Sequence, residues 1–306
     1  MTLLAWVVGS GGMLGGALAA HARGCDAEVF DAGPVRWSDP VAAQRILAVD
    51  AARFAERAGT RPWLLLWAAG ASVVATGTEG TADEIAALRA LLAAVAARRP
   101  AGPGAMFVTS SAGGVYAGSA GAPFTVTTPP QPVSPYGALK LQQEQAAREL
   151  LGGRIPLVLG RFSNLYGPGH SLAKDQGLIP LLCRASVRRE PLNLYVSMDT
   201  VRDYLYVDDA AALAWQATTG AVGEDPPEVH VEVIASGRAA SVAEVVASIQ
   251  GVTHRRVPLA LGSHPSARHQ VRDLRLVPSL HPGSSPLTPL PTGIRRIFDA
   301  SVGRPA

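Results

Sequence analysis

Tyr136 and Lys140 stand one helical turn apart in "SPYGALKLQQEQAARELLG", a spacing that puts both side chains on one helix face. A free phenol titrates near 10 and is a poor base at neutral pH. An ammonium ~5.5 Å away, at an effective dielectric of ~20, favours the phenolate by roughly 3 kcal/mol. The positive N-terminal end of the helix pushes the same way. Such a pair can move a proton between an alcohol and its ketone. Lysine is rare here: Lys140 and Lys174 are the only two, against 25 arginines.

Proton transfer of this kind needs a partner for the hydride, and the stretch "VVGSGGMLGGALAAHARG" from Val7 to Gly24 offers one. It could be the apolar heart of an export signal, but no basic side chain precedes it. Its glycines would also weaken a helical apolar region by about 1 kcal/mol each. The alternative is a strand, "LLAWVVG", breaking into glycine and then a helix, "MLGGALAAHA". In that context Gly9 makes a tight turn, Gly12 admits a pyrophosphate and Gly15 lets helix pack on strand. Met13 and Leu14 open the helix whose amides would face the phosphates. Asp31, in "AEVFDAG", lies about 20 residues on, where a carboxylate binds an adenosine ribose and repels a 2′-phosphate. That favours NAD, although Arg36 nearby keeps NADP open.

The rest of the chain must hold these groups. Its 306 residues, 48% hydrophobic with net charge +3, exclude disorder and suit one large α/β domain or two lobes. Arginines are scattered, so no nucleic-acid stripe is expected. No apolar run is long enough for a membrane span. Cys25 and Cys183 form no CxxC motif and read as reduced, packed residues of a cytoplasmic protein. The histidines have no ligand spacing, so no metal is expected.

Strand and helix patterns alternate. "PWLLLWAAG" (62–70), "AMFVTSS" and "IPLVLGRFSNLYG" read as strands. "TADEIAALRALLAAVAARR" (81–99) reads as a helix, with Thr81 as cap and Glu84 closing a capping box. Alternation of this kind predicts a Rossmann-type, doubly wound parallel sheet, with ligands beyond the carboxyl ends of the strands. Those ends carry Ala68, Ala69 and Gly70, then Thr109, Ser110 and Ser111, then Phe162 onward.

The segments "GSGGMLG", "WAAG", "SSAGGVYAG", "PVSPYGALK", "RFSNLYGPG" and "VRDYLYVDDAAALA" together resemble the extended short-chain dehydrogenase/reductases of the NAD-dependent nucleotide-sugar epimerase/dehydratase type. The resemblance runs almost end to end. It implies an NAD-binding lobe over 1–166, with 200–236 returning to it. It also implies a smaller nucleotide-sugar lobe over 167–199 and 237–306. Tyr136 and Lys140 become the catalytic pair, with Ser111 as the catalytic hydroxyl and Ser110 in reserve. Cofactor contacts fall on Gly9, Gly12, Met13, Leu14, Gly15, Asp31, Ala68, Ala69, Gly70, Ser110, Tyr136, Lys140 and Phe162. Ser111, Asn164 and Arg202 face the substrate, the last two at its diphosphate. Asp50 resembles an adenine-side acid at the end of a strand, although "RILAVDAARF" could equally be helical.

The family's 4,6-dehydratases carry an Asp-Glu pair where this chain has Gly113 and Gly114. Hydride and proton transfer without elimination remain: 4-epimerisation through a transient 4-keto sugar, or one-way ketone reduction or its reverse. A non-catalytic dinucleotide-binding protein is the further alternative. Asp208 and Asp209 read as a helix cap. "HPGSSPLTPLPTG" (281–293) reads as a connector. The helices at 81–99 and 136–151 offer faces for a homodimer.

Overall fold

The computed structural model describes residues 2–70, 72, 79–169, 177–262, 271–281, 283 and 286–302; Lys174 lies outside them. In chain order the elements are β1 (Leu4–Val8), α1 (Met13–Gly24), β2 (Glu28–Val29), α2 (Pro40–Ala58), β3 (Trp63–Trp67), α3 (Glu79–Ala97) and β4 (Gly104–Ser111). There follow α4 (Ala112–Val115), α5 (Pro135–Leu151), β5 (Leu157–Phe162), β6 (Asn164–Tyr166), α6 (Leu178–Arg188), β7 (Leu192–Leu194) and β8 (Val201–Tyr206). The chain closes with α7 (Val207–Gly220), β9 (Val229–Ile234), β10 (Ala239–Ser241), α8 (Val242–Thr253), β11 (Leu259–Leu261), β12 (Asp273–Leu274) and α9 (Leu290–Val302).

Six strands form one sheet in the order β2-β1-β3-β4-β5-β9, and every pairing in it is parallel. Both faces are covered, so β1 and β3 are buried at every residue. On one face, α2, α3 and α5 pack on Trp6, Trp63, Trp67, Met106 and Leu159; on the other, α1 and α7 pack on Val7, Leu66, Phe107 and Ile234. The "VVGSGGMLGGALAAHARG" stretch is therefore core strand, loop and helix of this sheet.

A doubly wound sheet of the dinucleotide type carries a further strand outside the second one. Here α2 leads straight from the β2 loop to β3, and β2 is the edge. Asp50 consequently sits inside α2, buried, and not at a strand end. The adenine-side role expected for it is corrected accordingly.

"IPLVLGRFSNLYG" divides in two. β5 ends at Phe162 in the main sheet, and β6 pairs with β8 in a second sheet that also holds β10 and β12. Within 200–236, β8 belongs to this second sheet, whereas α7 packs on α1 and β9 joins the main one. The smaller core gathers Ile179, Leu182, Cys183, Tyr204, Val245, Ile249 and Ile294. Cys183 is packed as expected; Cys25 is exposed at the end of α1, with its sulfur 3.5 Å from the His21 ring. Asp208 and Asp209 lie in the first turn of α7, whose cap is Tyr206. Asp209 instead receives the Thr288 amide and hydroxyl, tying down the C-terminal connector. No described helix is long and apolar enough to cross a membrane.

Candidate active site

The three glycines of the loop differ in what surrounds them. Gly9 has φ +92°, and a Cβ there would lie 2.7 Å from Ala69 Cα. Gly15 presses α1 onto the same turn: its Cβ would sit 2.1 Å from the Gly9 carbonyl oxygen. At Gly12 a Cβ would meet only that oxygen, at 3.4 Å, so this position faces open space. Gly12 caps α1, and no side chain satisfies the amides of the first turn. The Gly12 amide is donated to the Gly9 carbonyl at 3.0 Å, and first-turn amides without a side-chain cap at the positive end of a helix suit an anion such as a pyrophosphate. Leu14 is buried in the core beneath α1, so its amide is what it can offer.

Asp31 lies two residues beyond β2, exposed. Its loop is pinned from below by Asp50, which accepts the Gly33 amide at 3.0 Å and the Arg53 guanidinium at 2.5 Å. Arg53 also reaches the Asp31 carbonyl at 3.5 Å. Asp50 thus shapes the loop that presents Asp31.

At the end of β4, strand alternation turns two neighbouring serines to opposite fates. Ser110 is buried and donates its hydroxyl to Glu144 at 2.6 Å. Glu144 is held by both arms of Arg161, at 2.9 and 2.7 Å, and Arg161 also donates to the Tyr116 hydroxyl at 2.8 Å. Burial acts to lower the Arg161 pKa, but Glu144 outweighs it and holds the guanidinium charged. Burial likewise pushes the Tyr116 phenol up. Ser111 is half-buried and caps α4, accepting the Gly114 amide at 3.2 Å; among the described residues none takes its proton.

Gly114 carries the floor from Ser111 to Tyr136. A Cβ at Gly114 would sit 3.1 Å from Tyr136 Cε1. Tyr136 itself lies in the first turn of α5, capped by the Ser134 hydroxyl on the Gly137 amide at 3.1 Å, with Pro135 opening the helix. Lys140 follows one turn on, buried, its Nζ 5.6 Å from the Tyr136 ring centroid. The ammonium donates to Gln143 at 2.9 Å and to Glu84 at 3.2 Å. Glu84 therefore closes no capping box: α3 starts at Glu79, ahead of Thr81, and the carboxylate turns inward. Burial alone would raise its pKa, but the Lys140 charge and donors from Gln143 and Ser72 hold it below the usual carboxylate range.

Toward the second sheet, the Phe162 ring is buried 5.8 Å from the Phe107 ring, so its backbone is what Phe162 can offer a ligand. Asn164 pairs in register with Tyr204, which puts Asn164 and Arg202 on one face of the second sheet. The Asn164 amide donates to the Asp203 carbonyl at 3.0 Å, and Arg202 donates to the Val201 carbonyl at 2.9 Å. Burial pushes the Arg202 pKa down, with Tyr204 and Asp273 opposing.

Sequence reasoning missed the inward roles of Glu84, Gln143, Glu144 and Arg161. Glu144 had a signal: it sits one turn beyond Lys140 on the same face of α5. Glu84 had the opposite, because a Thr-x-x-Glu spacing imitates a helix start.

A family model described as "NAD dependent epimerase/dehydratase family" matches residues 5–231. Among similar curated proteins, dTDP-L-rhamnose 4-epimerase of Burkholderia thailandensis is 32% identical over 152 residues, covering 48% of this chain and 40% of that protein. A dTDP-glucose 4,6-dehydratase of Salmonella typhimurium is 40% identical over 105 residues, covering 33% of this chain and 28% of that one. The chain thus spans less than half the length of these relatives. Solved structures share the fold over the full chain. UDP-glucose 4-epimerase of Thermotoga maritima superposes with TM-score 0.75 at 18% identity, covering 99% of each chain. MoeE5, solved with UDP-glucuronic acid and NAD, does so with TM-score 0.75 at 21% identity and the same coverage. With residues 5–231, most of its length, matched by the family model, the chain belongs to the NAD-dependent epimerase/dehydratase family.

Proposed function

We propose that the protein is an NAD-dependent nucleotide-sugar 4-epimerase working through a transient 4-keto sugar. The observation that carries this reading is the continuous floor Ser111–Gly114–Tyr136, with the Lys140 ammonium behind the ring. Bound NAD supplies the hydride acceptor that turns a sugar alcohol into a ketone and then gives the hydride back. Its pyrophosphate would rest on the amides at Met13 and Leu14, with Gly12, whose own amide is donated to the Gly9 carbonyl, leaving room for it; its adenosine ribose would rest on Asp31, and Ala68 to Gly70 would border it.

In this reading Tyr136 takes the proton of the sugar C4 hydroxyl as the carbon is oxidised, and returns it after the ketone has turned over. Ser111 shares a hydrogen bond with the same sugar oxygen, donating to it as carbonyl character develops. Lys140 sets its ammonium against the Tyr136 ring, 5.6 Å from the centroid. Asn164 and Arg202 hold the diphosphate, fixing the sugar while leaving its ring free to rotate.

4,6-Dehydration, the activity in the name of several relatives, needs an added acid and base for elimination. The positions that supply them in the resembling dehydratases are Gly113 and Gly114 here. Gly114 is packed against the Tyr136 ring, so a long side chain there would displace it. One-way ketone reduction uses the same groups and is separated by its stoichiometry. The homodimer belongs to the proposal as well, to be read as mass in solution.

Thermal shift with NAD and UDP-, GDP- and dTDP-sugars, followed by product analysis of each stabilising sugar, tests the reading. Expected is a C4 epimer without net cofactor reduction. NADH accumulating with a keto or acid product, or stoichiometric NADPH consumption, would replace epimerisation by an oxidoreductase.

A further inference from the structure

We propose that Glu84 is a positioning residue that holds the Lys140 ammonium and shares its charge with Tyr136, so that this carboxylate sets the pH range in which Tyr136 can act as base. The inference rests on the reading that Tyr136 and Lys140 form the proton-transfer pair.

Glu84 is 8% exposed and Lys140 5% exposed, so water screens neither side of their 3.2 Å contact. Gln143 braces both, accepting from Lys140 at 2.9 Å and donating to Glu84 at 3.0 Å. The other Glu84 oxygen accepts the Ser72 amide at 3.2 Å. Gly70 lies against the same carboxylate: a Cβ there would come within 2.7 Å of Oε1, and its φ of +156° admits no ordinary side chain without strain. One carboxylate therefore joins the loop after β3, whose Ala69 lies against Gly9 of the glycine turn, to the lysine behind Tyr136.

Other charges nearby are committed or distant. On α5, Glu144 is bound by Arg161, and Glu149 pairs with Arg89 of α3. On α2, which packs against α3, Asp50 holds Arg53, and Arg57 holds Glu28. Arg45 and Glu56 of α2 and Asp83 of α3 are exposed. Lys140 is thus the charge that acts on Glu84. The converse follows from Coulomb's law: a carboxylate beside the ammonium cancels part of the field that stabilises a phenolate.

The test is independent of turnover. Ultraviolet difference absorbance, wild type minus Tyr136→Phe, isolates the ionisation of Tyr136. The same difference is then taken in a Glu84→Gln background, which keeps the shape and removes the charge. Expected is a midpoint about one pH unit lower with Glu84→Gln, a tenfold larger phenolate fraction below the midpoint. An unmoved midpoint overturns the inference, even if Glu84→Gln lowers the melting temperature as a purely structural residue would. A second measurement needs no substitution. Because the chain has two lysines, ¹⁵N-lysine NMR should show one ammonium with solvent-protected protons and a scalar or nuclear Overhauser contact across the pair. Two signals that both exchange as free lysines overturn the inference. If Tyr136→Phe instead keeps full turnover, the reading of the site fails, and that outcome is distinct from an unmoved absorbance midpoint.

Discussion

The Gly9 carbonyl oxygen and the Cα hydrogens of Gly15 are in such close contact that a methyl group on Gly15 would reach to 2.1 Å of the oxygen. Three residues away, Gly12 has room for one, at 3.4 Å from the same atom. Two glycines of one motif therefore have separable duties. Gly15→Ala is expected to cost about 1–3 kcal/mol of stability through overpacking. Gly12→Ala is expected to leave the melting temperature unchanged while weakening NAD binding. Calorimetric melting and NAD titration of both variants check the division; equal loss of stability would refute it.

The two serines at the end of β4 differ in the same way. Ser111→Ala should lower kcat by roughly 10²-fold or more, as loss of a positioned hydrogen bond to the reacting oxygen does. Ser110→Ala should leave kcat within a few-fold and appear in stability, because its hydroxyl serves Glu144. The ratio of the two kcat effects is the measurement.

Glu144 and Arg161 form a buried ion pair beneath the site. Glu144→Leu leaves a buried guanidinium uncompensated, at an expected cost of about 3–5 kcal/mol. Replacing both, Glu144→Leu with Arg161→Met, should recover most of that cost. Urea denaturation of the two single variants and the double variant supplies the cycle.

Glu84 predicts a pH dependence of stability with a definite sign. Its carboxyl is held below the value of 4.5 that it has unperturbed. The folded state therefore gains stability from Glu84 that is complete above that value and is lost as pH falls through the lower folded one. The difference in melting temperature between wild type and Glu84→Gln should be constant from about pH 6 to 8 and shrink below about pH 4.5. A difference that grows on acidification would contradict the pair.

On the proposed reading, Asp31 and Asp50 serve the same end of the cofactor from different places: one at the loop's surface, the other bracing it from α2. Asp31→Asn should narrow the preference for NAD over NADP, because it removes the charge that repels a 2′-phosphate. Asp50→Asn should weaken both dinucleotides by a similar factor, since it loosens the loop without changing its charge at the ribose. Parallel titrations with NAD and NADP distinguish the two.

The motifs were legible because their spacing is local. Tyr136 and Lys140 share a helix face by periodicity alone, and Gly9, Gly12 and Gly15 sit on one strand–turn–helix unit. Register and burial were not local. Nothing in "TADEIAALRALL" says that Glu84 turns inward, since its partner Lys140 is 56 residues away. The break between β5 and β6 was hidden too, because both halves of "IPLVLGRFSNLYG" look like strand and only pairing assigns them to different sheets.

The sequence by itself determined which residue types stand at which intervals, and so a glycine turn between strand and helix and a phenol with an amine behind it. Only the tertiary structure decided which of two adjacent serines is buried, that Asp50 braces a loop from inside a helix, and that the lysine is shared with a carboxylate. The reason is physical. Spacing along a chain sets direction within one element, whereas burial and charge pairing depend on what another element brings to the same volume.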